Sequence, residues 1–111
     1  MRFERSLKRR DTFTALADPT RRRILELLRD RGPLPAGQIA SRFRGAARPG
    51  ISRHLRVLRE SGLVRVESLG RSRRYELNAK PLVDLHRGWL ESFAKSHTNS
   101  LAELRRHVEK P

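Results

Sequence analysis

Arg48-Pro49-Gly50-Ile51-Ser52-Arg53-His54-Leu55-Arg56-Val57-Leu58-Arg59 is the stretch whose reading decides the fold. Taken as a helix turning about 100° per residue from Arg48, it sets Ile51, Leu55 and Leu58 at roughly 300°, 340° and 280°. Ser52, Arg56, Pro49 and Arg53 fall between about 40° and about 140°. One flank is an oily seam that needs a core, and the other carries guanidinium and hydroxyl groups. A charge run is ordinarily no more than a solvated helix face. A helix that holds a domain with one side and enters a DNA major groove with the other needs the same division. The segments on either side decide between the two.

Towards the N-terminus, residues 3–17 read as a first helix, with Phe3, Leu7, Phe13, Leu16 and Ala17 at loosely helical spacing. Asp18-Pro19-Thr20 punctuates it. Asp18 can cap the orphan amides of a second helix, and Pro19 suits its first position, where no amide is needed. That helix runs to about Arg31, turns Ile24, Leu25, Leu27 and Leu28 inward, and is ended by Gly32-Pro33. Pro35 to Phe43 is a short third helix with Ile39, Ala40 and Phe43 inward, poor by propensity because of Pro35 and Gly37. Gly45 supplies a turn, and the Arg48–Ser61 helix follows, closed by Gly62. A short helix, a glycine turn and a longer helix with a polar outer face is the grammar of a helix-turn-helix.

Beyond Gly62 the period changes to two. Leu63-Val64-Arg65-Val66-Glu67 reads as a strand, Ser68-Leu69-Gly70-Arg71-Ser72 as a turn, and Arg73-Arg74-Tyr75-Glu76-Leu77 as the returning strand. Arg71, Arg73 and Arg74 crowd the tip, where a purely structural hairpin gains nothing from like charges. A hairpin lying along a phosphate backbone does gain from them. Pro81 opens a last helix expected to reach about Lys110, with Leu82, Leu85, Trp89, Phe93, Leu101, Leu104 and Val108 recurring every three or four residues around a polar interval from Lys95 to Ser100. Unbroken, it would be roughly 40–45 Å long, more than so small a domain can cover, and a second copy of the same helix is the simplest cover. The alternative is a break near Ser96–Asn99 that folds the segment back as two shorter helices.

The order α-α-α-α-β-β-α is thus mainly α with a small β-hairpin, an α+β winged helix-turn-helix expected as a dimer. Residues 1–111 are expected to form a single domain, with 1–17 and 81–110 as dimerisation helices. The composition agrees. Lys and Arg number 26 against 12 Asp and Glu, a formal charge of +14. Residues 42–74 hold ten arginines against Glu60 and Glu67, a net +8, so the middle of the chain is the electrostatic footprint and a polyanion its natural partner. Arginine suits bidentate contact with phosphate and guanine better than lysine. The absence of cysteine excludes disulfides, thiolate metal sites and cysteine nucleophiles. No apolar run approaches the roughly 20 residues that span a bilayer, so a cytoplasmic protein without a membrane partner is expected.

The chain resembles the ArsR-type winged helix-turn-helix repressors of bacteria. The likeness is carried by Phe13-Thr14-Ala15-Leu16-Ala17-Asp18-Pro19-Thr20-Arg21-Arg22, by Ile24-Leu25 and Leu28, and by Arg48 to Leu58. Gly62-Leu63-Val64, the hairpin and Tyr75-x-Leu77 complete it. It spans roughly residues 10–108, and the order and spacing of the pieces make it specific. The resemblance implies a homodimer joined through its first and last helices, with two recognition helices in successive major grooves of a palindromic double-stranded DNA operator. It assigns base recognition to Arg48, Pro49, Ser52 and Arg53. Phosphate contact falls to Arg56 and, in the wing, to Arg71 and Arg73. His54, near 240° on the wheel, is expected to pack or hydrogen-bond inside the domain. Two departures from the family pattern stand out. Ala47 occupies the place of a serine or threonine cap, and Gly50 replaces a better helix former, each at a cost of up to about 1 kcal/mol.

Many such repressors sense metals. Asp84, His86 and His97 sit at intervals that one zinc-site pattern uses, but Ser100 stands where the fourth ligand belongs, and a neutral hydroxyl is a poor zinc ligand. Leu77 also lies seven residues before Asp84, where metal-binding relatives place their Asp-x-His almost at once. The expectation is the metal-free branch, with no cofactor and no effector legible. His54, His86, His97 and His107 have no nucleophile or carboxylate at a recognisable spacing, so an enzyme is not expected. The rival reading is a nonspecific architectural nucleic-acid binder, which the charge alone would produce. A protein-docking winged helix is disfavoured by the arginine-loaded wing.

Overall fold

The computed structural model describes residues 12–97 and Arg105, the side chains of residues 46–48 excepted. The chain falls into two compact units, Met1–Ala79 and Lys80–Pro111. In the first, residues 12–17 form α1, Pro19–Arg31 form α2, Leu34–Pro35 a two-residue strand β1, and Ala36–Ala40 the short helix α3. A 3-10 turn over Gly45–Gly50 leads into α4, Ile51–Glu60, and the hairpin β2 (Val64–Leu69) and β3 (Ser72–Leu77) completes the unit.

The ends of α2 follow from its sequence. The Asp18 carboxylate accepts the Arg21 amide at 3.0 Å, Pro19 opens the helix, and Gly32 closes it at φ 79° with its N–H on the Leu28 carbonyl. Gly32 is needed there because this left-handed turn is costly for any residue with a Cβ. Ile24, Leu25 and Leu28 of α2, Ile39 of α3, Ile51, Leu55 and Leu58 of α4, and Val64 of β2 are buried together. At about 1.5–3 kcal/mol for each large side chain, this seam outweighs the weak local propensity of α3 and the uncapped start of α4.

The inward residues of α1 are Thr12 and Ala15, three apart on one face, while Phe13 is 41% exposed and Ala17 lies outward too. Three expectations are corrected. The third helix is shorter than Pro35–Phe43, because Leu34-Pro35 pairs instead with Tyr75 and Arg74 of β3 and makes the hairpin a three-stranded sheet in the order β1-β3-β2. Proline is admissible there because β1 is an edge strand. The hairpin turn is only Gly70-Arg71, closed by Leu69 opposite Ser72. Gly70 at φ 63°, with no non-glycine residue at positive φ among the described residues, fits a two-residue turn that has glycine first.

The third correction concerns the start of α4. Arg48 and Pro49 belong to the 3-10 turn, and α4 begins at Ile51 behind Gly50, with no side-chain cap. Ala47 has no oxygen to offer and Pro49 no N–H to be bonded, so the chain enters through a tighter winding. The wheel drawn from Arg48 therefore holds from Ile51 onward.

In the second unit, α5 begins as Lys80–Leu85, widens into a π-turn over His86–Leu90, where the Glu91 N–H reaches the His86 carbonyl, and is helical again over residues 91–97. Phe3 and Leu7, like Leu101, Leu104 and Val108, lie outside the described residues. The choice between one long last helix and two shorter ones falls largely there as well. Among the described residues, no helix is long and apolar enough to cross a membrane.

Candidate nucleic-acid interface

On α4 the two flanks are separated as the spacing predicts. Ile51, Leu55 and Leu58 are at most 2% exposed, while Ser52, Arg53, Arg56 and Arg59 face solvent. Pro49 is exposed just ahead of them; the Arg48 side chain is outside the described set. Arg42 and Arg44 are exposed in the turn between α3 and α4, on either side of buried Phe43. Phe43 is itself covered by the Arg23 guanidinium, 5.0 Å from the ring centroid. Sequence reasoning passed over Arg42 and Arg44, although they belong to the same basic third and flank an apolar anchor.

The far end of α4 is tied to the sheet. The Leu63 N–H bonds the Leu58 carbonyl at 3.0 Å, the Asn78 N–H bonds the Leu63 carbonyl at 2.9 Å, and the Asn78 side-chain amide donates to the Gly62 carbonyl at 2.8 Å. Helix α4 and the wing therefore share one joint. The register sorts the wing arginines. Val64, Val66 and Ser68 lie on one face, opposite Leu77, Tyr75 and Arg73, and Arg65 and Glu67 lie on the other, opposite Glu76 and Arg74. Arg65 pairs with Glu76 at 3.5 Å, and Arg74 has Glu67 as its cross-strand neighbour. Arg73 instead extends the core-side face past its apolar end and is exposed, and Arg71 is at the tip.

The near end of α4 is held by the junction of α1 and α2. The Arg21 guanidinium donates from Nε to the Ala15 carbonyl at 2.8 Å and from Nη2 to the Thr14 carbonyl at 2.9 Å, and Arg22 reaches the Leu16 carbonyl at 2.6 Å. These close the last turn of α1, whose carbonyls have no helical partner. Arg21 Nη1 is also 3.3 Å from His54 Nδ1, and Asp18 Oδ2 is 3.9 Å from the same nitrogen. His54 thus turns inward and hydrogen-bonds within the domain, as its wheel position predicts. The Arg21 amide holds the Asp18 carboxyl below the ordinary carboxylate range; partial burial opposes this, and His54 when charged, the Arg21 charge and the Thr20 amide reinforce it.

On α5, Leu82 and Leu85 are half-buried, while Trp89, Leu90 and Phe93 are exposed at 53%, 42% and 56%. The Trp89 and Phe93 rings meet edge to face at 4.7 Å. Asp84 and His86 lie on this helix and His97 is its last described residue; among the described residues no three of His, Cys, Asp and Glu gather as a metal ion requires.

A short helix, a turn, a helix with one arginine-bearing flank and a hairpin with basic side chains at its tip define a winged helix-turn-helix DNA-binding protein. Known proteins agree. A model described as a helix-turn-helix domain matches residues 16–67. The transcriptional repressor SdpR of Bacillus subtilis is 36% identical over 91 residues, covering 82% of this chain and 98% of that protein. The HTH-type transcriptional regulator Rv2034 of Mycobacterium tuberculosis is 43% identical over 81 residues, 69% of this chain and 74% of that one. The solved structure of an ArsR-like transcriptional regulator from Rhodococcus sp. RHA1 superposes with a TM-score of 0.71 at 30% identity, over 97% of this chain and 99% of that one. The chain belongs to the ArsR-type family of winged helix-turn-helix transcriptional regulators. It is a DNA-binding regulator of transcription and, like that family, not an enzyme.

Proposed function

We propose that the chain is a repressor that occupies a palindromic operator as a homodimer, in the cytoplasm where that DNA lies. The observation that carries this reading is the division of α4, with Ser52, Arg53 and Arg56 in solvent and Ile51, Leu55 and Leu58 in the core. In it, Ser52 and Arg53 read base edges in the major groove with Arg48 and Pro49 at the mouth of the helix. Arg56, Arg71 and Arg73 bind phosphates, and the turn residues Arg42 and Arg44 join them. Trp89, Leu90 and Phe93 support a second copy as the partner of α5, since three neighbouring apolar side chains left this exposed are unusual on a monomer. Phe13 supports the same for α1.

Selection of binding sites from random duplex DNA tests the reading. It predicts enrichment of one inverted repeat whose half-site centres lie about 10 bp, or a multiple of that, apart. Selected sites without two-fold symmetry, or no enrichment at all, would return the protein to the nonspecific class, whose affinity depends on salt and hardly on sequence.

A further inference from the structure

We propose that the Arg21–His54 hydrogen bond is the strut that sets the attitude of α4 towards DNA, and that His54 is a positioning residue that acts only while its ring is neutral. The inference rests on the operator reading above and adds to it a residue that touches no base.

The geometry leaves Arg21 little freedom. Its Nε and Nη2 are committed to the Ala15 and Thr14 carbonyls at 2.8 and 2.9 Å, so the guanidinium cannot swing away without orphaning the end of α1. The remaining Nη1 points at His54 Nδ1 from 3.3 Å. A guanidinium only donates, so Nδ1 accepts and the ring carries its proton on Nε2. That edge of the ring lies over Gly50, with Nε2 3.6 Å from where a glycine Cβ would stand, so the imidazole spans from the α1–α2 junction to the first turn of α4. Its side chain is 19% exposed.

A second proton on the ring goes to Nδ1, setting donor against donor and cation against cation. The nearest acceptor is then Asp18 Oδ2, 3.9 Å from Nδ1 and fixed by its bond from the Arg21 amide. The charged ring turns from Arg21 to Asp18, and the turn bearing Ser52 and Arg53 moves with it. Among the described residues, Arg21 and Asp18 are the ionisable groups within hydrogen-bond or ion-pair distance of the ring. None of them comes from α3 or β2, and Arg53 and Arg56 of α4 itself face solvent. The added positive charge favours any duplex, so what falls on protonation is discrimination between duplexes, not affinity for DNA in general.

The test compares the duplex recovered by site selection with a scrambled duplex of the same composition, by fluorescence anisotropy at constant ionic strength. Measurements are made at about pH 8 and about pH 5.5, the interval in which imidazoles change charge. The full chain is used as wild type, His54→Asn and His54→Leu, with a melting curve for each at both pH values. The Asn carboxamide oxygen sits near the place of Nδ1 and accepts from Arg21 at any pH. The wild-type cognate-to-scrambled ratio should fall about tenfold on acidification, the low end for a hydrogen bond to a charged group. His54→Asn should hold its ratio, and His54→Leu should be poor at both pH values. A His54→Asn protein that falls in step with wild type overturns the proposal, as does a wild-type ratio that ignores pH or a folded His54→Leu protein equal to wild type at about pH 8. Should His54→Leu not fold, the wild-type and Asn pair decides alone. A wild type without preference at any pH counts against the operator reading instead.

Discussion

The strand register of the wing makes a quantitative claim about neighbouring arginines. Arg73 stands past the apolar end of the core-side face, while Arg74, the next residue, faces Glu67 on the other side of the sheet. If Arg73 neutralises one phosphate in each protomer of a dimer, Arg73→Ala removes two such contacts. Each contact contributes about 0.9 to the slope of log affinity against log salt, so the slope should flatten by about 1.8. Between about 50 and about 200 mM salt, the loss of affinity should then be about tenfold smaller than for wild type. Arg74→Ala should leave the slope unchanged, because its side chain lies on the other face of the sheet, beside Glu67. Fluorescence anisotropy titrations on a fixed duplex over that salt range measure both. Equal flattening by the two substitutions, or a flattening by Arg74→Ala alone, would refute the assignment of faces.

Other consequences are as direct. Arg53→Ala should weaken the cognate complex by about 1–3 kcal/mol and relax preference at one base pair of each half-site, seen by binding to a panel of single-pair variants. Asp18→Ala should lower stability by about 1 kcal/mol through the lost cap, a fall in melting temperature of roughly 5 °C. Asp18→Asn keeps an acceptor but not the charge. Because the native carboxyl is held below its ordinary value, that charge stabilises fully above about pH 4, and its contribution disappears as pH falls through the lower native value. The melting gap between wild type and Asp18→Asn should therefore close as the pH falls below about 4; a gap that stays open there would contradict the depressed carboxyl. Trp89→Glu should give monomers by light scattering, and an unchanged mass would remove α5 from the dimer contact.

What could be read from sequence was what single residues encode. Asp18, Pro19 and Gly32 specify both ends of α2 by cap, ring and left-handed turn, and each was found in that role. The seam of Ile51, Leu55 and Leu58 was legible because an apolar period of three and four survives any detail of the helix start. The start itself was not legible. Whether Arg48 and Pro49 wind as α or 3-10 depends on amides whose partners no local residue announces. Strand β1 was invisible because two residues carry no period, and its pairing with β3 is a tertiary event. On α1 the tight inward place belongs to the small Ala15, which the apolar spacing does not single out, while Phe13 is 41% exposed. His54 was placed correctly by angle, but its partner Arg21 lies 33 residues away and could not be named.

The π-turn in α5 has a consequence for how this segment can evolve or be redesigned. One extra residue in a helical turn rotates everything after it by about 100° relative to an uninterrupted α-helix. Excising a single residue from the widened turn, Gly88 being the smallest, would wind the segment tightly again and yet leave Phe93 in phase with the stripe begun by Leu82 and Leu85. The segment can thus shed one codon at this turn without turning the apolar side chains beyond it to another face.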